Sequence, residues 1–330
     1  MTLNRPDALN ALTHDMCRAI ESALDRFEAD ATIKVIALQS AGDRAFCAGG
    51  DLEDLYASAK AGDYAFGQQF WTDEYRLVAK LATAPKPVVS FLQGYTLGGG
   101  VGIGCHVTHR IVCESSRIAL PECALGIVPD VGGSLLLANA SGRVGEYLGL
   151  TTQRMGPADA IVAGFADVFV PHHSWDALKE ALSRTGDPTV LNESAESAPA
   201  GTLTIDKINQ HFAGESLTDI LNSLRSDPSE FAIQTLQHLS KPDPLAMATT
   251  VELIHRIRNA PDIIKALDLE YRFTFRAAEH GDFIEGIRAL IIDKDKSPNW
   301  SHPLDAVPAT KISQMLMPLG TDALNLTELS

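Results

Sequence analysis

The sequence predicts an α/β core followed by a mostly helical C-terminal region, and three observations carry that prediction. Two apolar strands each end in a glycine cluster, Ala45-Phe46-Cys47-Ala48-Gly49-Gly50-Asp51 and Gly94-Tyr95-Thr96-Leu97-Gly98-Gly99-Gly100-Val101. Short apolar runs alternate with stretches of helical periodicity through the first half, the pattern of repeated strand and helix units. Past a stretch rich in small, polar and helix-breaking residues, the periodicity becomes helical almost throughout. The chain divides accordingly into a core over 1–184, a linker or long loop over 185–203 and a helical region over 204–330.

The elements follow in order. Met16, Ile20, Ala23, Leu24 and Phe27 recur at helical spacing with Thr13 at the N-cap position, which predicts a helix over about 14–29. Val35-Ile36-Ala37-Leu38 and Pro87-Val88-Val89-Ser90-Phe91-Leu92 are short continuous apolar runs that lead into the glycine clusters, as buried strands do. The helix between them carries Phe66, Phe70, Leu77, Val78 and Leu81 on one face. Residues 110–113 and 117–120 form two further strands separated by Glu114-Ser115-Ser116, which reads as a hairpin or tight connection. The alternation continues through 158–165 and 168–170. Ile208, Phe212, Leu217, Ile220, Leu221 and Leu224, and later 254–267, then follow helical spacing.

Composition narrows the function. With 45% hydrophobic and 21% charged residues, 330 residues suffice for a sizeable core. The net charge of −15 argues against a general nucleic-acid binder, which needs Lys and Arg to neutralise phosphates. Five scattered cysteines show neither a disulfide framework nor zinc-ligand spacing, and a reducing compartment fits them. The start shows no secretory pattern and no run approaches the length of a membrane span, so a cytosolic (cytoplasmic) protein with no membrane partner is expected.

Glycines at strand exits let another group approach the backbone closely, so the two clusters together suggest a site built from bare N–H groups that stabilise an oxyanion. Neither has the spacing of a phosphate-binding loop. Three carboxylates accompany them. Glu74 falls within the apolar stripe of its helix and is hydrogen-bonded structurally, turned to a ligand cavity, or at the helix edge with its head in solvent. Glu122 shares strand parity with Ile118 and Leu120, so if those two face the core it points inward with them at the strand's end; the alternative is a strand-end glutamate turned to water. Asp130, in Val128-Pro129-Asp130-Val131-Gly132-Gly133, is a site residue or a helix-capping turn former. His106 and His109 have i, i+3 spacing but no further ligands, so no metal is expected.

These segments, taken with Leu3-Asn4-Arg5-Pro6 and Leu9-Asn10-Ala11-Leu12, resemble the crotonase superfamily of acyl-CoA enzymes. Pro121-Glu122, Pro129-Asp130-Val131-Gly132-Gly133 and the tail Asp282-Phe283-Ile284-Glu285-Gly286-Ile287-Arg288-Ala289 through Asp293-Lys294-Asp295-Lys296-Ser297-Pro298 narrow the resemblance to its branch of 3-hydroxyisobutyryl-CoA hydrolases. The resemblance implies a spiral of ββα units with a helical C-terminal region. It implies an oxyanion hole from the N–H groups of Gly50 and Gly99, with Glu122 and Asp130 as the catalytic acid pair. Glu74 would reach the hydroxyl of the acyl group, while Ala48, Asp51 and Lys294 would bind the rest of the substrate. Gly102 stands where hydratases of the superfamily carry the first of two glutamates. Hydrolysis of a short 3-hydroxyacyl-CoA thioester, in valine breakdown, is therefore the leading expectation; a hydratase or isomerase and a non-catalytic acyl-CoA-binding protein are the alternatives. No cofactor is implied, coenzyme A being part of the substrate, and a homo-oligomer is.

Overall fold

The computed structural model describes residues 1–326. Its first half lays successive strands alternately into two parallel sheets. In chain order come β1 (Thr2–Leu3), α1 (His14–Ala29), β2 (Ile36–Ser40), β3 (Ala45–Cys47), α2 (Leu52–Lys60), α3 (Ala65–Ala82), β4 (Val88–Leu92) and β5 (Tyr95–Leu97). They are followed by α4 (Gly99–Cys105), β6 (His109–Val112), β7 (Arg117–Ala119), α5 (Gly133–Asn139), α6 (Val144–Thr151), α7 (Pro157–Val162) and β8 (Val168–Phe169). The larger sheet has the order β1-β2-β4-β6-β8 and the smaller β3-β5-β7, so the pairs β2-β3, β4-β5 and β6-β7 each give one strand to each sheet, with β1 and β8 at the two edges of the larger. This is the expected spiral of ββα units.

The helix expected over 14–29 is α1, and the Thr13 side chain accepts the Met16 N–H at 3.2 Å as its cap. Of the two readings of the 114–116 segment, the tight connection holds and the hairpin does not: β6 pairs in parallel with β4 while β7 pairs in parallel with β5 in the other sheet. The Glu114-Ser115-Ser116 turn carries the chain between sheets, fixed by the Ser116 hydroxyl, which donates to the Leu92 carbonyl at 2.6 Å and accepts the Cys113 N–H at 2.8 Å.

The second half is helical: α8 (Trp175–Thr185), α9 (Val190–Ser194), α10 (Ile205–His211), α11 (Leu217–Arg225), α12 (Glu230–Leu239), α13 (Pro244–Arg258), α14 (Ile263–His280), α15 (Phe283–Ile287) and α16 (Ala309–Met315). The 185–203 stretch is not wholly loop, since α9 lies within it and buries Leu191. One apolar cluster joins the two halves, with Leu12, Phe70 and Val101 of the core packed in the same body as Leu267, Phe273 and Phe283. Burying side chains of this size contributes ~1.5–3 kcal/mol each, which fixes α14 and α15 rigidly against the core.

Candidate active site

The backbone donors come from the two glycine clusters. Gly99 opens α4 and Gly50 follows β3; a side-chain carbon built on Gly99 would lie 3.4 Å from the Gly50 nitrogen. Among the described residues neither N–H finds an acceptor within the protein. A first-turn N–H of a helix has no intrahelical partner, which leaves the Gly99 group to face a ligand. Gly98 makes the turn possible with φ +50° and ψ −119°, a combination reserved for glycine.

Three carboxyls surround these donors. Glu74 is buried on α3 beside Phe70 and Leu77, as its place in the apolar stripe predicts, and its Oε1 has no hydrogen-bond partner. A Cβ on Gly99 would stand 2.5 Å from that oxygen. Glu122 is buried too, with Oε2 unpartnered and Oε1 2.7 Å from the place a Cβ of Gly98 would occupy. The inward placement is as expected, but its cause is not strand parity. β7 ends at Ala119, and Glu122 opens a 3-10 turn, Glu122–Leu125, behind Pro121. Asp130 caps no helix with its side chain; its Oδ2 accepts the Tyr75 hydroxyl at 2.8 Å inside the molecule.

Glu74, Glu122, Asp130, Gly50 and Gly99 line one cavity of about 70 Å³, walled by Phe70, Trp71, Ile127, Val131 and Phe283. A water-sized sphere fills roughly 10–15 Å³ of such space, so there is room for a small acyl group and not for a fatty chain. Ala48, Leu52, Pro121 and Leu125, all only half-buried, form the rim.

Burial pushes the Glu74 and Glu122 carboxyls well above the ordinary carboxylate range, and the Asp130 charge pushes both further. Asp130 rises to about 7 through burial, restrained by the bond from Tyr75. Like charges this close cannot all ionise, so near neutrality the site keeps protons that a reaction can use.

The remaining residues singled out in the sequence lie elsewhere. Asp51 is outside the cavity lining, its carboxylate paired with Arg5 at 3.1 Å. Lys294 is exposed, in a left-handed turn (φ +57°) after α15. The His106 and His109 pair does not share a helix, since α4 ends at Cys105 and His109 begins β6. Among the described residues no three His, Cys, Asp or Glu side chains group as metal ligands. Three site residues escaped the sequence: Tyr75, Phe283 and Glu270. Tyr75 sits beside Glu74 in the same buried stripe, a signal that was legible. Phe283 and Glu270 arrive from helices more than 130 residues away from Glu122 and Asp130, and local periodicity says nothing of that approach.

Alternating parallel sheets that deliver two main-chain donors and buried carboxyls to one cavity are the architecture of the crotonase fold. The chain belongs to the enoyl-CoA hydratase/isomerase family, whose profile matches residues 1–316. The mitochondrial 3-hydroxyisobutyryl-CoA hydrolase of Xenopus laevis is 34% identical, with 99% of this chain and 88% of that protein covered. The human protein of the same description is 34% identical over 94% of this chain and 83% of its own length. Among solved structures, an enoyl-CoA hydratase from Rhodobacter sphaeroides 2.4.1 matches with a TM-score of 0.93 at 49% identity, covering 98% of this chain and 96% of that one. A carnitinyl-CoA dehydratase from Mycobacterium thermoresistibile matches with a TM-score of 0.93 at 36% identity over 99% and 95% of the two chains.

These relatives overturn the cytosolic expectation, because the curated hydrolases are mitochondrial by description. Five buried cysteines without disulfides suit any reducing compartment. They never distinguished one such compartment from another.

Proposed function

We propose that the protein hydrolyses a short 3-hydroxyacyl-CoA thioester, 3-hydroxyisobutyryl-CoA in valine breakdown, to the free hydroxy acid and coenzyme A. The observation that carries this reading over a two-glutamate hydratase is at Gly102. A Cβ there would lie 2.7 Å from Val131 Cβ and 3.1 Å from Val78 Cγ2, so α4 has no room for a glutamate side chain. The carboxyls that accompany Glu122 come instead from Asp130 and Glu74.

The N–H groups of Gly50 and Gly99 receive the thioester oxygen and stabilise the negative charge it gains on attack. Glu122 stands on the other side of the carbonyl carbon. Its carboxylate attacks that carbon, forming an anhydride as the C–S bond breaks, and water then cleaves the anhydride to release the hydroxy acid and restore the carboxylate; alternatively Glu122 takes a proton from the water that attacks the thioester directly. Both routes need it ionised. The thiolate leaves with a proton from the carboxyl cluster. Asp130 orients Glu122 and the water, and Glu74 accepts the 3-hydroxyl at the closed end of the cavity. Ala48 at the rim meets the adenine end of coenzyme A through its backbone, and Lys294 is a phosphate contact further out.

Thiol release from a panel of acyl-CoA substrates tests this directly. The hydroxylated four-carbon substrate should be cleaved fastest and crotonyl-CoA should keep its enoyl absorbance; the reverse pattern would establish a hydratase. Tight binding with no thiol released from any member would establish a non-catalytic acyl-CoA binder.

A further inference from the structure

Asp130 stands on a turn that the local sequence does not favour. Val131, which follows it, has φ +53°, a left-handed conformation that a β-branched residue rarely adopts, and Gly132 has φ +78°. A Cβ on Gly132 would stand 2.5 Å from the solvent-shielded Nε2 of the half-buried His106, so the turn is also hemmed in from below. Two left-handed residues in succession, one of them valine, persist only where the surroundings over-determine them.

The determinant is Glu270 on α14. It is fully buried, and its Oε2 accepts the Gly132 N–H at 2.8 Å while Oε1 accepts the Ser134 N–H at 2.9 Å and the Ser134 hydroxyl. One turn along the same helix face, the Thr274 hydroxyl lies 3.3 Å from the Tyr75 hydroxyl, which in turn donates to Asp130. α14 therefore grips Asp130 twice, at the backbone of its turn through Glu270 and at its carboxylate through Tyr75. The cavity wall needs neither contact.

We propose that Glu270 is a positioning residue for Asp130, holding a strained turn so that the carboxylate stays aimed at the acyl cavity. The inference rests on the hydrolase reading. The groups facing Asp130 are Glu74 and Tyr75 from α3, Glu122 from the 3-10 turn and Glu270 from α14, with His106 beneath the turn. None supplies a positive charge, since burial pushes His106 down to about 4. Glu270 contributes position at the turn, and as a like charge it also helps to raise Glu122, so kcat and the double variant, rather than the pH limb alone, report on position. Glu270→Gln keeps one acceptor for Ser134 and sets an amide donor against the Gly132 N–H, so the turn can relax with little change in volume.

The test is thiol release by the wild type, Glu270→Gln, Asp130→Asn and the double variant, each with a pH profile and circular dichroism. Misplacement by about 1 Å costs on the order of 100-fold in rate. Glu270→Gln should fold, lose roughly 10- to 100-fold in kcat with KM little changed, and shift its acidic limb in the same direction as Asp130→Asn. The double variant should be no slower than Asp130→Asn alone, because the effect runs through Asp130. If Glu270→Gln does not fold, Thr274→Val, which removes one hydroxyl from the same grip, should lower kcat several-fold with the same limb shift. A purely structural cap would lower the melting temperature and leave kcat at its plateau unchanged even if the limb moved, and multiplicative losses in the double variant would likewise overturn the proposal. A wild type that releases no thiol would instead overturn the hydrolase reading.

Discussion

Gly98→Ala probes the proposed oxyanion site and Glu122 in a single change. The φ +50°, ψ −119° conformation of Gly98 costs a side-chain-bearing residue ~1–3 kcal/mol. The new Cβ would stand 2.7 Å from Glu122 Oε1; ordinary carbon–oxygen contacts are ~3.3–3.6 Å, so the carboxyl must retreat by roughly 0.6–0.9 Å. Any rotation of the Gly98 peptide also turns the Gly99 N–H, because the two share a plane. Losing one oxyanion donor lowers kcat by ~100- to 1,000-fold, about 2.7–4 kcal/mol. The stability cost is modest by comparison. Unfolding entropy of about 2.1 cal/mol/K per residue gives ~0.7 kcal/mol/K for a chain of this length, so Tm should fall by only about 1–4 °C. A thiol-release assay and a thermal melt measure the two effects separately. Activity within threefold of wild type would refute the reasoning, since it would mean that neither the Gly99 amide nor the Glu122 carboxyl needs its present place.

Further predictions follow from the same geometry. Burial and Asp130 both raise Glu122, and a protonated Glu122 is inactive, so kcat should climb with pH along a limb above the ordinary carboxylate range. Asp130→Asn removes one of those causes and should move the limb to lower pH; an unmoved limb would separate the two residues. Because the folded-state pKa of Glu122 is raised, its stability contribution is whole below the unfolded value of about 4.3 and is lost as pH rises through the folded value. Glu122→Gln should therefore melt higher than wild type at pH 8, with the gap closing at pH 4, and a constant gap would contradict the buried-carboxyl account. Leu55, Trp71 and Phe283 also line a small pocket that reaches Tyr64 and Phe275 behind the acyl cavity. Phe283→Ala, at ~3–5 kcal/mol of stability, should join the two and raise kcat/KM for longer acyl groups relative to the four-carbon substrate by about tenfold. An equal decline for every chain length would show that Phe283 is not the barrier.

Much of this site was legible because its parts are local. A glycine pair after an apolar strand, a glutamate inside the apolar stripe of α3 and Thr13 ahead of α1 each declare themselves within a few residues. Glu122 was placed inward for the wrong local reason, since the alternation of Ile118 and Leu120 runs on past the end of β7 into a 3-10 turn with the same outcome. Sheet partners were not legible. Short apolar runs look alike whichever sheet they join, so β6 and β7 read as neighbours although they lie in different sheets. Glu270 was beyond reach for a related reason. Its partners Gly132 and Ser134 lie 138 and 136 residues away in the chain, and a glutamate on an amphipathic helix looks solvent-facing until its neighbours are known.

The most direct measurement sets wild type against Glu122→Gln with 3-hydroxyisobutyryl-CoA, following thiol release and coenzyme A binding together. Removing the reacting carboxyl should cut turnover by at least ~1,000-fold, while coenzyme A affinity should stay within about threefold because the contacts proposed for it lie at the rim. Hydrolysis by Glu122→Gln within tenfold of wild type would contradict the claim that this carboxylate acts on a thioester held by Gly50 and Gly99.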